Sequence, residues 1–331
     1  MNQTNNKLRT FALPRLAGRL TYMRSKMLEI SELTMEHLAI MGIPYENTDE
    51  DLKGYQYSPL AIRETSVYYG WFSNPQFKSA PIDIVTRKKV DTGCINQKLV
   101  DIGDISVTGL NKEQAEKKIY NICKELKKTQ SASIILGGDE GIVYSACKGL
   151  TGDNKVGFIQ LGGLMPSNTD NTVDLSIQRL LSEEIVNYSN MMFVSPLTNP
   201  TIEFAKEFRS KEGTIVSTSG LRNLKGNYRG LFSNLKNKTE EIIVVLDISA
   251  LDSSLHGMTE IPKFNGLTLI EIQNILIAFG QLPIKSLIIT GLNPTLNGLG
   301  IVKTGQRMLV TALLKFIYSR LGLLRKDEVI R

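Results

Sequence analysis

The sequence predicts an α/β protein built on a mostly parallel sheet with helices on both of its faces. Three observations carry that prediction. Short aliphatic runs recur along the chain, and each one stops at Gly, Pro, Asp or Asn. Amphipathic stretches with helical spacing lie between them. No linker-like segment interrupts the alternation. Strand, helix, strand, repeated this often, requires crossover connections, and these cover a parallel sheet on both sides.

The expected strands are HLAIMGIP (37–44), KLVDIGDI (98–105), SASIILGG (131–138), KVGFIQLGG (155–163), NMMFVSPL (190–197), TIVSTSGL (214–221), EIIVVLDI (241–248) and KSLIITGL (285–292). The clearest helix spans 112–128, where Ala115, Ile119, Ile122 and Leu126 form one apolar stripe. Asn111 is placed to cap it, with Gln114 as the capping-box partner. Further helices are expected over 201–211, following Pro200; over 268–279, capped by Thr268; and over 304–321. Residues 1–36 read as an irregular lead-in that wraps the surface or a neighbouring subunit. Residues 37–331 read as a single domain. Parallel sheets hold ligands at the carboxyl ends of their strands, so the chemistry is to be sought there.

Composition narrows the function classes. With 42% hydrophobic and 22% charged residues the chain is ordinary globular material. No run of 18 apolar residues is present, so no membrane-spanning helix is expected. The N-terminal MNQTNNKLRT has no apolar core of a secretory signal. Cys94, Cys123 and Cys147 are odd in number and form no CxxC pair, which argues against a disulfide framework and fits a reducing cytoplasm. The net charge is +6, yet the densest basic run, Arg87 to Lys89, has no interleaved aromatics. A solvated basic surface is expected rather than a nucleic-acid site.

Several strand ends carry an ordered series of motifs. YSPLAIR leads, followed by VDIGDI (100–105), LGGDEG (136–141), STSGLR (217–222), VVLDISALDSS (244–254), NGLT (265–268) and TGLNP (290–294). In this order and spacing the set resembles the ureohydrolase family of arginases, agmatinases and formimidoylglutamases. Pro59, Ile62 and Arg63 match the family's G-P-x-x-I-R, with Ser58 in place of its Gly. The resemblance implies a three-layer α-β-α sandwich, trimers or hexamers, and hydrolysis of a guanidino group by a hydroxide bridging two metal ions. Such a metal pair lowers the pKa of the shared water, and manganese or nickel needs carboxylates and imidazoles around it.

Carried over residue by residue, the six implied ligand positions fall on Glu140, Gly162, Leu164, Pro166, Asp247 and Ser249. Only Asp247 is the residue the family uses, and Glu140 offers an oxygen. The family's substrate-side Glu falls on Gly291. The two histidines, His37 and His256, both lie outside 166–200, where a proton-shuttling His is implied. Losing one ligand or its support weakens a metal site by about 10–100-fold, and four ligand side chains are missing here. Asp139, Glu140, Asp247 and Asp252 remain as a residual polar or one-metal site. The plainer reading has them bonding backbone at strand ends. Likewise His256 reads as a turn residue, His37 and the cysteines as packing, Arg222 as structural, and the paired glycines at 137–138 and 162–163 as turns rather than phosphate cradles.

The resemblance therefore implies a non-catalytic ureohydrolase-like subunit with no metal of its own. Its expected partner is a paralogue with intact ligands that carries manganese or nickel, in a cytoplasmic trimer or hexamer. The two-subunit metformin hydrolases of the family offer such an arrangement. The alternatives are a divergent C–N hydrolase with a reduced metal site, and a ligand-binding sensor that reuses the old pocket.

Overall fold

The central strands are buried along their whole length on both faces, which is what the aliphatic runs require. The computed structural model describes residues 20–46, 53–73, 82–93, 95–152, 155–166, 176–296 and 301–329. Residues 1–19 of the expected lead-in and Cys94 lie outside the described residues. The strands are β1 (Lys26–Met27), β2 (Leu38–Gly42), β3 (Ile82–Asp83), β4 (Lys88–Val90), β5 (Leu99–Asp104), β6 (Ala132–Leu136), β7 (Val156–Leu161), β8 (Met191–Val194), β9 (Thr214–Val216), β10 (Glu241–Asp247), β11 (Ile284–Thr290) and β12 (Leu324–Val329). The helices are α1 (Ser58–Ser66), α2 (Ile95–Lys98), α3 (Lys112–Lys128), α4 (Ile142–Thr151), α5 (Ser176–Ser182), α6 (Ile202–Ser210), α7 (Thr218–Asn223), α8 (Tyr228–Lys238), α9 (Leu269–Gly280) and α10 (Ile301–Arg320).

Nine strands form one parallel sheet in the order β1-β5-β2-β6-β11-β10-β7-β8-β9. Alternate side chains feed two cores. Ile134, Leu136, Val244 and Leu246 pack with residues of α1, α7, α8, α9 and α10. Ile135, Phe158, Ile243 and Val245 pack with residues of α3 to α6. This is the expected three-layer α-β-α sandwich. A small antiparallel sheet, β12-β4-β3, stands apart, beside a buried ion pair between Lys315 and Asp83. Residues 20–36 contribute short turns and β1, which pairs with β5.

Local chemistry sets the element ends. The Asn111 side chain accepts the Gln114 N–H at 2.9 Å and the capping box closes, starting α3 where expected. Thr268 and Glu271 do the same for α9. Two expected strands are shorter than their apolar runs. Ser217 accepts the Gly220 N–H at 3.1 Å and opens α7, so β9 stops at Val216. β8 ends at Val194 because Ser195 turns to φ 50° and Pro196 has no N–H for a ladder.

Candidate functional site

In-register pairing brings four strand ends to one edge. Asp247 of β10 lies beside Thr290 of β11, Leu246 beside Leu161 of β7, and Ile289 beside Leu136 of β6. The loops LDIS, LGGLMP, TGL and LGGDE therefore emerge together at the carboxyl ends of the central strands.

Asp247 sits half-buried at the end of β10. Its Oδ1 accepts the Ser249 N–H at 2.9 Å and its Oδ2 accepts the Thr290 hydroxyl at 3.1 Å. Burial pushes its carboxyl above the ordinary carboxylate range, while the bonds from Ser249 and Thr290 pull the other way. Gly291 makes room for this carboxylate. At φ 75°, a Cβ on Gly291 would fall 2.6 Å from Asp247 Oδ2.

The segment after β7 is fastened on several sides. The Ser249 hydroxyl oxygen accepts the Gly163 N–H at 2.9 Å. Gly163 O accepts the Leu197 N–H at 2.9 Å, and Thr198 Oγ1 accepts the Met165 N–H at 3.1 Å. From inside the strand, Gln160 directs its Nε2 to the carbonyls of Gly162 and Leu164, each at 3.4 Å. Gly162 meets the loop after β10 so closely that a Cβ there would sit 2.4 Å from the Ala250 nitrogen. Leu164 is partly exposed and Pro166 is buried.

Of the other acids, Asp139 and Asp252 bond neighbouring groups through their carboxylates. Asp139 Oδ1 accepts the Gly141 N–H at 2.8 Å in the turn before α4, and the Glu140 carbonyl accepts the Ser176 hydroxyl at 3.0 Å. Gly138 O accepts the Gly291 N–H at 3.1 Å, tying this turn to β11. Asp252 takes the N–H and hydroxyl of Ser254, at 3.0 and 2.5 Å, and the Ser254 hydroxyl is the largest cause holding its pKa down. The structure thus brings Asp247, Ser249, Gly162 and Gly291 into one packed knot, while Asp252 organises the next turn. Among the described residues no three His, Cys, Asp or Glu side chains form a group able to hold a metal ion.

Outside the knot the motif residues serve as braces. Arg63 reaches from α1 to Asp101, with Nε–Oδ2 at 2.9 Å and Nη2–Oδ1 at 3.0 Å, and to Asp104 at 2.5 Å. Asp101 also accepts the Tyr22 N–H at 2.7 Å, so D-x-G-D, the YSPLAIR helix and Tyr22 are tied together. Arg222 pairs with Glu271 at 2.8 Å and caps the Gly266 carbonyl at 3.0 Å. Asn293 donates to Glu260 at 2.8 Å. His256 is 2% exposed and its Nδ1 accepts the Met258 N–H at 3.3 Å; burial lowers its pKa. His37 Nδ1 accepts the Thr34 N–H at 3.0 Å. Cys123 and Cys147 are buried thiols, that of Cys123 pushed up to about 12 by burial.

Two residues of this edge, Lys263 and Gln160, were not singled out in the sequence. The Lys263 ammonium crosses the edge to donate to Ser195 O, Ser195 Oγ and Pro196 O at 2.5, 2.9 and 2.8 Å. Burial pulls its pKa down to about 8. For Gln160, a polar residue inside an apolar strand run was a readable signal.

A nine-stranded parallel sheet flanked by helices, with its polar loops gathered at the carboxyl ends of the central strands, defines a ureohydrolase-like architecture. The chain belongs to the arginase family, whose model matches residues 36–314. Solved structures agree on the fold. Proclavaminate amidino hydrolase from Streptomyces clavuligerus superposes with a TM-score of 0.71 at 18% identity, covering 93% of this chain and 100% of that one. Formimidoylglutamase from Bacillus subtilis gives 0.71 at 19% identity, over 89% and 92%. A hypothetical agmatinase from Burkholderia thailandensis gives 0.73 at 13% identity, over 93% and 94%. Among curated sequences, an uncharacterized 32.2 kDa protein of Methanothermus fervidus is 27% identical over 109 residues, a third of each chain. No described helix is long and apolar enough to cross a membrane.

Proposed function

We propose that this chain is a non-catalytic member of the arginase family that assembles with a metal-bearing paralogue and supports its structure or active-site wall. The observation that carries the reading is the bond from the Gly163 N–H to Ser249 Oγ. Both residues lie in the segments to which the family resemblance assigns metal ligands, and here protein bonds protein directly. Asp247, the one ligand in common with the family, spends its oxygens on Ser249 and Thr290.

The donor set does not fit a two-metal centre. Gly162, Leu164 and Pro166 bring no side-chain ligand, and Ser249 brings a neutral hydroxyl already in use. The intact braces, Arg63 to Asp101 and Arg222 to Glu271, support retention of the scaffold for its shape. A folded subunit without chemistry stabilises a partner by binding it.

Co-expression tests the reading. The chain, tagged, is produced with and without an arginase-family paralogue that retains all six ligands. The expected result is a mixed oligomer in which the paralogue gains stability or turnover, while the isolated chain turns over no guanidino substrate. An isolated chain as active as the mixture contradicts the proposal.

A further inference from the structure

A polar cleft opens at the amino ends of β7 and β8, the end of the sheet opposite the Asp247 knot. Its volume of about 560 Å³ falls within the range of small-molecule sites, about 300–1,000 Å³. Four parts of the chain build it. α3 supplies Tyr120 and Lys124, and the last turn of α4 supplies Lys148. Lys155 precedes β7, and the connection from α5 to β8 supplies Glu184 and Asn190. Ligands of parallel sheets ordinarily sit at the carboxyl ends of the strands, so this cleft is not the site that the motif series marks.

The cleft holds a surplus of hydrogen-bond donors. Asn190 is only 7% exposed, yet its side-chain amide bonds no group among the described residues. Buried polar side chains are nearly always bonded, so this amide takes its partner from the cleft. Lys124 and Lys155 are exposed and form no ion pair among the described residues. The Lys124 ammonium stands 5.7 Å from the Tyr120 ring centre, beside an aromatic wall. Lys148 is already committed, at 2.8 Å from both Glu183 Oε2 and the Tyr144 hydroxyl. Glu184 is the one carboxylate on the lining among the described residues. Two uncommitted ammonium groups and an open amide thus outweigh a single acid. Ammonium groups donate and never accept. The ligand that answers them carries several acceptor oxygens and more than one negative charge, which is the chemistry of phosphoryl groups.

We propose that this cleft binds a small molecule bearing two or more phosphoryl groups, with Lys124, Lys155 and Asn190 donating to its oxygens. The inference goes beyond the proposed function and stands without it, since the cleft shares no residue with the Asp247 knot. The test is calorimetric titration of the purified full chain with inorganic triphosphate and with ATP, both free of magnesium, at about 0.15 M salt. At least one of the two is expected to bind once per chain with a Kd below about 1 mM, weakening as salt is raised. Lys124→Ala and Lys155→Ala should each weaken binding about tenfold or more, by removing a charged donor. Asn190→Ala should weaken it as well. Lys206→Ala, an exposed lysine of α6 away from the cleft, should leave binding unchanged, and circular dichroism should show every variant folded. ATP bound more tightly than triphosphate supports an organic phosphate as the ligand, and equal affinities support an inorganic polyphosphate. Binding of neither probe overturns the proposal. So does binding that survives the double variant Lys124→Ala with Lys155→Ala. Binding that Lys206→Ala weakens as much as the cleft variants also overturns it, because the attraction is then only that of a chain with net charge +6.

Discussion

Ser249 and Gly163 are joined by one hydrogen bond: the hydroxyl oxygen accepts the glycine N–H at 2.9 Å, with Ser249 only 2% exposed. It ties the loop after β10 to the loop after β7. Ser249→Ala leaves that N–H buried without its acceptor, at a cost of about 1–3 kcal/mol. Ser249→Asp should cost more at neutral pH, since it adds a second carboxylate next to Asp247. Urea denaturation of the three proteins checks both.

Asp247 offers a pH-dependent test. Its folded pKa lies above the ordinary value of 3.8 because of burial. The stability contributed by its protonated form is fully present below that value and is lost as pH rises through the folded pKa. At neutral pH the buried anion is therefore a liability. Asp247→Asn should raise Tm at pH 7, and the gain should shrink as the pH is lowered through the folded pKa. Thermal melts across pH 3 to 8 measure it.

Arg63 and Asp101 hold the early motifs together, with exposures of 4% and 1%. Removing one partner of such a buried pair strands the other charge, at about 3–5 kcal/mol. Arg63→Met should lose that amount. Arg63→Lys should lose a large part of it, because an ammonium cannot reproduce the two-pronged contact with Asp101. Chemical denaturation distinguishes the two.

Gly291 stands where the family resemblance implies a glutamate. Gly291→Glu places a Cβ at a left-handed backbone conformation and crowds Asp247 Oδ2. It should cost about 1–3 kcal/mol and should confer no turnover of guanidino substrates. A variant that gained activity would count against the proposed loss of chemistry.

Much of the fold was readable because burial on both faces leaves a plain signal. Each expected strand coincides with one strand of the nine-stranded sheet, and α3 begins and ends where Asn111 and the Leu126 stripe place it. α4 was not readable. Residues from Ile142 to Thr151 are buried almost throughout, so no polar face marks a helical period. β1 is two residues long and has no pattern of its own. The knot at Asp247, Ser249, Gly162 and Gly291 was legible as positions, from motif order alone. Its bonds were not. The clamp from Lys263 to Ser195 spans 68 residues, and no local spacing encodes it.

Metal content tests the proposed loss of the metal site most directly. The purified chain is loaded with excess manganese or nickel, dialysed, and assayed for metal by mass spectrometry beside Asp247→Ala. Far less than one ion per chain is expected, unchanged by the substitution. One or more ions per chain, lost in Asp247→Ala, would contradict it.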